Sequence, residues 1–296
     1  VFTKLLSQKG DFWLRLLVEN VFTAGFKLTN ALIKPYFMIY NYDKLKAEYG
    51  KYYRANNEVC KIKFNMTVEE LQSKQEQLRA EMYSNAEKLG LSTANLKPIP
   101  DGVLDAEKYL TSSRKIMWVL KEPYDDIDEE GNPQGGDWYL EEGFLDENGN
   151  IKESAKKIRT WQLMAYTTYG ILNKIHYNDE GWVQEDDQIM ESLLSTAYVN
   201  ISKMPNLTSS GQTNLCECYE NWKTILFRQI DLYNPDVIIF GGTIAPFWHD
   251  LESNGIVYDH YNSAICVYNY KGAKVIDAYH PNQRKIKWEL YADSII

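Results

Sequence analysis

Five consecutive apolar residues, Ile116 to Leu120, precede Lys121, Glu122 and Pro123. An edge or half-exposed strand would alternate apolar and polar positions, so this continuous run predicts a strand buried on both faces. Pro123 has no N–H to donate to a sheet, and it biases the preceding residue toward extended backbone. We therefore expect the strand to end here, with Glu122 projecting from its carboxyl end.

From residue 113 onward, apolar runs alternate with segments of helical pattern, which is typical of a parallel sheet covered by helices on both faces. The other predicted strands are Ala197–Ile201, Val237–Phe240, Ile265–Tyr270 and Lys274–Ala278. The last two are joined across a short Gly-containing turn, which predicts an antiparallel pair at one edge. Helices are predicted over residues 154–173, 184–194, 215–233, 243–253 and 285–294.

The chain before residue 113 has a helical pattern. Residues 1–64 are rich in Tyr, Phe, Lys and Asn, and we expect two or three helices there. Thr67 and Glu70 have the spacing of a capping box, so a helix is predicted from this point to Leu89. The breaker-rich segment Lys97–Gly102 is interpreted as the start of a link. We expect a helical N-terminal region over residues 1–112 and a second domain over residues 113–296.

Charge and composition limit the class of protein. The 296 residues are 44% apolar, which is enough for a substantial core, and the formal net charge is −9. A negative total argues mildly against nucleic acid as a partner, because phosphate contacts need Lys and Arg, but the local distribution of charge matters more than the sum. Much of the acidic charge lies between Asp125 and Glu153.

The apolar stretch near Phe12 is interrupted by Arg15 and Glu19, so we expect no membrane span and a cytoplasmic protein. The four cysteines are at positions 60, 216, 218 and 266. They form neither a disulfide framework nor a metal-ligand spacing, and we expect reduced, structural thiols with no metal or cofactor.

Four predicted strands carry distinctive residues at the same end: Glu122, Asn200, Gly241-Gly242 and His280. Ligands of open parallel sheets bind beyond the carboxyl ends of the strands, so these groups would line one crevice. Each group also has a purely structural interpretation. Asn200 could close a turn, the glycines could serve turn geometry, and a buried histidine is often a satisfied core residue.

The order of these motifs resembles the uracil-DNA glycosylase superfamily. In that superfamily a first motif ends a strand with a catalytic Asp or Asn followed by Pro, often Pro-Tyr, as in Glu122-Pro123-Tyr124. A later strand ends with His-Pro-Ser, as in His280-Pro281-Asn282, and a strand-end Asn between them reads the base. The resemblance covers about residues 113–296. It implies a three-layer α/β/α sandwich around a central, mainly parallel, four-stranded sheet.

The resemblance implies a role for each matching residue. Glu122 stands where a carboxylate activates water, and Tyr124, with Pro123, where a Tyr excludes the 5-methyl group of thymine. Asn200 would hydrogen-bond the base edge, and His280 would stabilise the negative charge on O2 of the leaving base. Such groups suit the chemistry, because breaking an N-glycosidic bond makes an oxocarbenium-like sugar and an anionic base.

Further contacts with DNA follow from the same resemblance. Gln283, Arg284 and Lys285 lie just beyond His280, where the family inserts a wedge loop into the duplex. Trp138 and Phe144 are candidate aromatic faces on which a flipped base would stack. The expected partner is DNA, and the expected oligomeric state is a monomer.

Departures from the family pattern point to an altered substrate. Glu122 replaces Asp, Asn282 replaces Ser, and the insertion from Asp125 to Glu153 is long. A modified base is one interpretation, and some members of the superfamily act on phage DNA in bacterial defence. Two alternatives stay open: a non-catalytic module that binds nucleic acid or a protein, and a nucleotide- or sugar-phosphate-binding domain supported by Gly241-Gly242.

Overall fold

The computed structural model describes residues 66–125, 135–206, 214–262 and 264–296. The predicted helices of residues 1–64 lie outside the described residues. The α-helices are α1 Val68–Lys88, α2 Ala106–Thr111, α3 Leu140–Phe144, α4 Arg159–Asn173, α5 Asp187–Glu191, α6 Leu215–Tyr233, α7 Trp248–Ser253 and α8 Trp288–Ile295. The strands are β1 Gly102–Val103, β2 Ile116–Leu120, β3 Thr196–Asn200, β4 Val237–Gly241, β5 Val257–Asn262, β6 Ile265–Tyr270 and β7 Ala273–Ala278.

The strands form one mixed sheet in the order β1-β3-β2-β4-β7-β6-β5. The four middle strands, β3, β2, β4 and β7, run parallel to one another. The outer strands β1, β6 and β5 pair antiparallel with their neighbours. The sheet therefore has seven strands, where the sequence predicted five and the family resemblance implied a central sheet of four. β1 has only two residues and β5 is exposed along its whole length, so neither has an apolar pattern that a sequence would display.

Helices cover both faces of the sheet, as the alternating pattern predicts. Every residue of β2 is buried, and successive residues enter different clusters. Met117 and Val119 belong to a first core cluster with residues of α1 and α6. Ile116, Trp118 and Leu120 belong to a second core cluster with residues of α4 and α8. The continuous apolar run thus reflects burial on both faces.

The described residues from Met66 to Ile296 form one compact unit. Helix α1, which the sequence placed in a separate N-terminal region, buries Leu71, Leu78 and Met82, and Leu71 and Met82 belong to the first core cluster together with residues of α6. Its capping box is present as predicted, because the Thr67 hydroxyl accepts from the N–H of Glu70 and the Glu70 carboxylate accepts from that of Thr67.

The segment Lys97–Gly102 is not an exposed link. Ile99 and Asp101 are fully buried, and the N–H of Ile99 donates to the carbonyl of Lys203 at 2.8 Å. The segment leads directly into β1, which pairs with β3. Its prolines therefore fix a buried backbone path beside the sheet, where the sequence alone indicated only a break.

Among the described residues, no helix combines the length and apolar character that crossing a bilayer requires. Cys216, Cys218 and Cys266 are free thiols.

Candidate active site

The four parallel strands end on the same side of the sheet, and three predicted site residues lie there. This site, at the carboxyl ends of β3, β2, β4 and β7, is called the edge below. Asn200 is the last residue of β3 and pairs in register with Leu120 of β2. Glu122 follows two residues after Leu120, and His280 follows two residues after Ala278 of β7. β4 lies between β2 and β7. Adjacent strands are about 4.8 Å apart, so two such spacings place the backbones at Glu122 and His280 about 10 Å apart.

The pleat sets the direction of the Asn200 side chain. Tyr198, two residues before Asn200, belongs to the second core cluster, as do Leu120 and Ala278. Alternation along β3 puts the Asn200 side chain on that same face. Glu122 and His280 lie beyond the strand ends, where each precedes a proline that favours extended backbone.

The Asn200 side chain is buried, and its amide has no hydrogen-bond partner in the described part of the chain. The residue is 0% exposed. Among the described residues, neither its Nδ2 nor its Oδ1 finds a hydrogen-bond partner. An unpaired buried amide costs free energy that a bound ligand with matching groups would recover. This favours the ligand-reading interpretation of Asn200 over the turn-closing one.

The backbone of Asn200, in contrast, is held on both sides. Its N–H donates to Oδ2 of Asp101 at 2.6 Å, and its carbonyl accepts from Nζ of Lys203 at 2.7 Å. Asp101 and Lys203 are fully buried. Burial lowers the pKa of Lys203, and the Asp101 carboxylate opposes that shift. The sequence missed both residues; the one available signal was that each is a charged residue beside a buried strand.

His280 is held as a neutral imidazole with a defined tautomer. Burial, and then the positive charge of Lys121, lower the pKa of His280 from 6.5 to about 4. Its Nδ1 accepts the backbone N–H of Asn282 at 3.1 Å. The neutral ring therefore carries its proton on Nε2, which leaves Nε2–H as a hydrogen-bond donor.

The glycines after β4 accommodate the His280 turn. A Cβ at Gly241 would lie 2.5 Å from Cδ2 of Leu120 and 3.0 Å from Cδ of Pro281. Gly242 has φ +70° and donates its N–H to the carbonyl of Ala278 at 2.7 Å. The close approaches here are made by the protein's own Leu120 and Pro281 side chains and by the backbone of His280, which accounts for the glycine pair without a phosphate.

Glu122 is 8% exposed and Pro123 is buried beside it. Tyr124 is 53% exposed, so it lies at the surface just beyond Glu122. Partial burial, and then the charge of Glu122, raise the pKa of Tyr124, which places its hydroxyl within electrostatic range of that carboxylate. The chain continues beside Asn206, whose N–H donates to the carbonyl of Pro123 at 3.0 Å.

The two candidate stacking aromatics differ in position. Phe144 is 2% exposed, and its ring packs edge-on against Trp161 with centroids 5.1 Å apart. It is a core residue. Trp138 is half-buried, and its Nε1 donates to Oδ1 of Asp125 at 3.4 Å. Asp125 also accepts the backbone N–H groups of residues 135 and 136, so it anchors this part of the insertion, a role that the sequence did not indicate.

Gln283, Arg284 and Lys285 follow His280 as a short turn. The Gln283 side chain accepts the N–H groups of Lys285 and Ile286, so its amide closes the turn. Arg284 and Lys285 are exposed, and Nζ of Lys285 lies 5.3 Å from the centroid of the Tyr279 ring. Two of the three predicted DNA contacts are therefore available to a ligand.

Two cavities are found in the described part of the chain. One, of about 10 Å³, lies in the core beside Phe144 and Trp161. The other is a polar cleft of about 780 Å³ that includes Asp146, Lys156 and Asp187. Within the described ranges, no group of three or more His, Cys, Asp or Glu side chains is arranged to hold a metal ion.

Comparison with protein-family models found none that matches the chain, and a search of the curated proteins found no match either. The interpretation of this edge therefore rests on its own geometry and chemistry.

Proposed function

We propose that this protein is a divergent member of the uracil-DNA glycosylase superfamily. It acts as a monomer and hydrolyses the N-glycosidic bond of a base flipped out of DNA, leaving an abasic site. One observation carries the proposal. Asn200 ends β3 with a buried side-chain amide that has no hydrogen-bond partner among the described residues, and a neutral His280 follows β7 at the same end of the sheet, with Glu122 after β2 between them.

The Asn200 side chain offers one acceptor and two donor hydrogens to the base. Uracil and related bases present a donor and an acceptor side by side on one edge, so they satisfy such an amide in both directions. Bases without this pattern would leave the amide unpaired in a buried site, which is an effective means of discrimination.

His280 and Glu122 serve the two charges that form during cleavage. As the bond between C1′ and the base nitrogen breaks, its electron pair moves onto the base, and Nε2–H of His280 stabilises the resulting oxyanion. The Glu122 carboxylate offsets the cationic sugar and orients a water on the opposite face. The water oxygen bonds to C1′, and its proton passes through the carboxylate toward the departing base.

Arg284 and Lys285 would contact the DNA backbone beside His280, since both are exposed cations. Tyr124 is exposed next to Glu122 and suits the family role of limiting the size of the 5-substituent. Trp138 stays a candidate stacking residue. Glu122 is one methylene longer than Asp, which favours a modified base, including one from phage DNA, over uracil itself.

The test is excision from oligonucleotides that carry uracil, hypoxanthine or 5-substituted cytosines, single- and double-stranded, followed by alkaline cleavage of abasic sites. Wild type should release at least one base. Glu122→Gln, Asn200→Ala and His280→Ala should lose that activity while the thermal unfolding midpoint stays within a few degrees. Glu107→Gln and His260→Ala, both at exposed positions away from the edge, serve as matched controls.

A non-catalytic module that binds nucleic acid or a protein is the second candidate, and the replacement of Asp by Glu122 favours it. This alternative predicts that no oligonucleotide releases a base. DNA would bind if the partner is nucleic acid and would not bind if the partner is a protein. Equal release by wild type and by both Glu122→Gln and His280→Ala would remove the catalytic proposal.

A further inference from the structure

A fully buried ion pair grips the backbone of Asn200. Asp101 Oδ2 accepts the N–H of Asn200 at 2.6 Å, and Lys203 Nζ donates to the Asn200 carbonyl at 2.7 Å. Nζ also lies 2.7 Å from Oδ1 and 2.9 Å from Oδ2 of Asp101. The N–H and the carbonyl of Asn200 are thus both held by this one ion pair.

Gln229 of α6 completes this network. Its Oε1 accepts from Lys203 Nζ at 2.9 Å, and its Nε2 donates to Asp101 Oδ1 at 2.8 Å. The ammonium therefore has partners in Asp101, Asn200 and Gln229, which matches its three hydrogens. Because every member has partners, the network has little freedom to rearrange.

Stability alone is a weak reason to place a charge pair here. Desolvation of two charges offsets much of their attraction, and apolar replacements of buried pairs are often neutral or stabilising. The network instead satisfies the backbone of Asn200 and leaves its side-chain amide without a partner in the described residues. The backbone is thereby fixed and the amide is left for a ligand.

We propose that Asp101 and Lys203 are positioning residues that set the direction of the Asn200 amide, so that base discrimination depends on them. This inference rests on the proposed function and adds two residues that do not touch the base. Gln229 supports them from α6.

The test variant is Asp101→Asn combined with Lys203→Met. Lys203→Met alone would leave a carboxylate unpaired in the core, whereas the double variant removes both charges and keeps an acceptor for the Asn200 N–H. The matched control is Arg79→Met with Glu141→Gln, which removes another largely buried ion pair, 2.6 Å between Nη2 and Oε1. Neither control residue contacts Glu122, Asn200 or His280 through any hydrogen bond in the described chain.

In the folded double variant, we expect kcat on the preferred base to fall about 100-fold, the effect of a displacement near one ångström. KM for the oligonucleotide should stay within about twofold, because the phosphate contacts at Arg284 and Lys285 are untouched. The preference for that base over its isosteres should narrow. A folded double variant with unchanged kcat and unchanged base preference would overturn the inference.

If the double variant does not fold, Lys203→Arg replaces it under the same criteria. This substitution keeps the positive charge but moves the hydrogen-bond donor.

A second measurement does not depend on activity. The side-chain NH₂ resonances of Asn200, assigned by their loss in Asn200→Ala, should move in the test variant and stay in place in the control. Unchanged resonances would refute positioning. If wild type releases no base at all, the proposed function fails, while this comparison still decides whether Asp101 and Lys203 orient Asn200.

Discussion

Two features of the structure keep the imidazole of His280 neutral and leave its Nε2–H as the donor. Burial and the charge of Lys121 lower its pKa to about 4, and the Asn282 N–H occupies Nδ1. At neutral pH the ring therefore has no charge to lose, and its Nε2 proton points away from Asn282. A donor of this kind stabilises negative charge without itself giving up a proton.

We predict that His280 shows no titration step between about pH 5.5 and 8, since its pKa is lowered to about 4. Because this value lies below the ordinary 6.5, the unfolded chain binds more protons between the two, and stability should fall as the pH drops through that window. NMR of the ring carbons, assigned with His280→Asn, measures the titration. Lys121→Gln should raise the pKa toward its ordinary value. A midpoint near 6.5 in wild type would contradict the lowered pKa of His280.

At the residue scale, the sequence predicts Glu122, Asn200 and His280 as candidate site residues because each stands at the end of an apolar run that is marked by polarity or proline. It could not identify Asp101 or Lys203, because a charge in a core is stable only through partners that are distant in the chain. Phe144 was predicted as a stacking residue because the sequence alone does not distinguish an aromatic side chain in the core from one that lines a pocket.

At the scale of elements, the His280 turn depends on the end of β4. A Cβ on Gly241 would meet Leu120 and the Pro281 ring, and the ring cannot swing aside as a flexible side chain can. The geometry of His280, the proposed donor, is thus coupled to Gly241, a residue of the neighbouring strand that carries no functional group.

We predict that Gly241→Ala lowers the free energy of unfolding by about 1–3 kcal/mol, the usual cost of overpacking, and also reduces base release. Gly272→Ala is the control: nothing lies within 4 Å of its Cβ, and its φ of +89° leaves only backbone strain. That strain costs about 1–2 kcal/mol without an effect on base release. Urea titration and single-turnover excision provide the two readouts. Full activity in Gly241→Ala would show that the turn tolerates displacement.

Long, strongly patterned elements were predictable. β2 and α6 have their predicted limits, and α1 differs from its prediction by a residue at each end. Short segments without a clear helical pattern were harder to predict. The predicted helix over residues 243–253 is a 3-10 turn, Ala245–Phe247, followed by α7. The Thr243 hydroxyl donates to the carbonyl of Val119 at 2.6 Å, so it ties β4 to β2 and caps no helix. Such side-chain choices are set by tertiary neighbours.

At the scale of the molecule, the negative total charge requires a local basic surface if DNA binds. The formal net charge is −9, so non-specific attraction of the whole protein for DNA is unfavourable. Arg284 and Lys285 are exposed beside the His280 turn, and they would supply the local attraction.

We predict that Arg284→Ser with Lys285→Ser weakens oligonucleotide binding and flattens the slope of log K against log salt by about 2 for duplex DNA, near one unit for each lost phosphate contact. Lys74→Ser with Lys88→Ser removes the same charge from exposed positions of α1 and should change the slope little. Fluorescence anisotropy from 50 to 200 mM salt measures both. An equal change in the two variants would mean that this turn does not contact DNA.

The α/β class and the parallel middle of the sheet could be predicted from the alternating strand and helix patterns. The outermost strands, β1 and β5, could not. β1 and β5 pair through backbone groups, which every residue has, so their side chains carry little signal. The compact unit begins at Met66 because α1 buries its apolar side against α6. A helical pattern predicts that such a side exists but not which surface it covers.

The most direct test is a crystal structure of Glu122→Gln bound to an oligonucleotide that carries the base identified by excision, with 2′-fluorination to suppress cleavage. We expect the base flipped out, its edge within 3.2 Å of both polar atoms of the Asn200 side chain, and an oxygen of the base facing Nε2 of His280. DNA bound on another surface, or a base that reaches one of these two residues but not the other, would contradict the shared site.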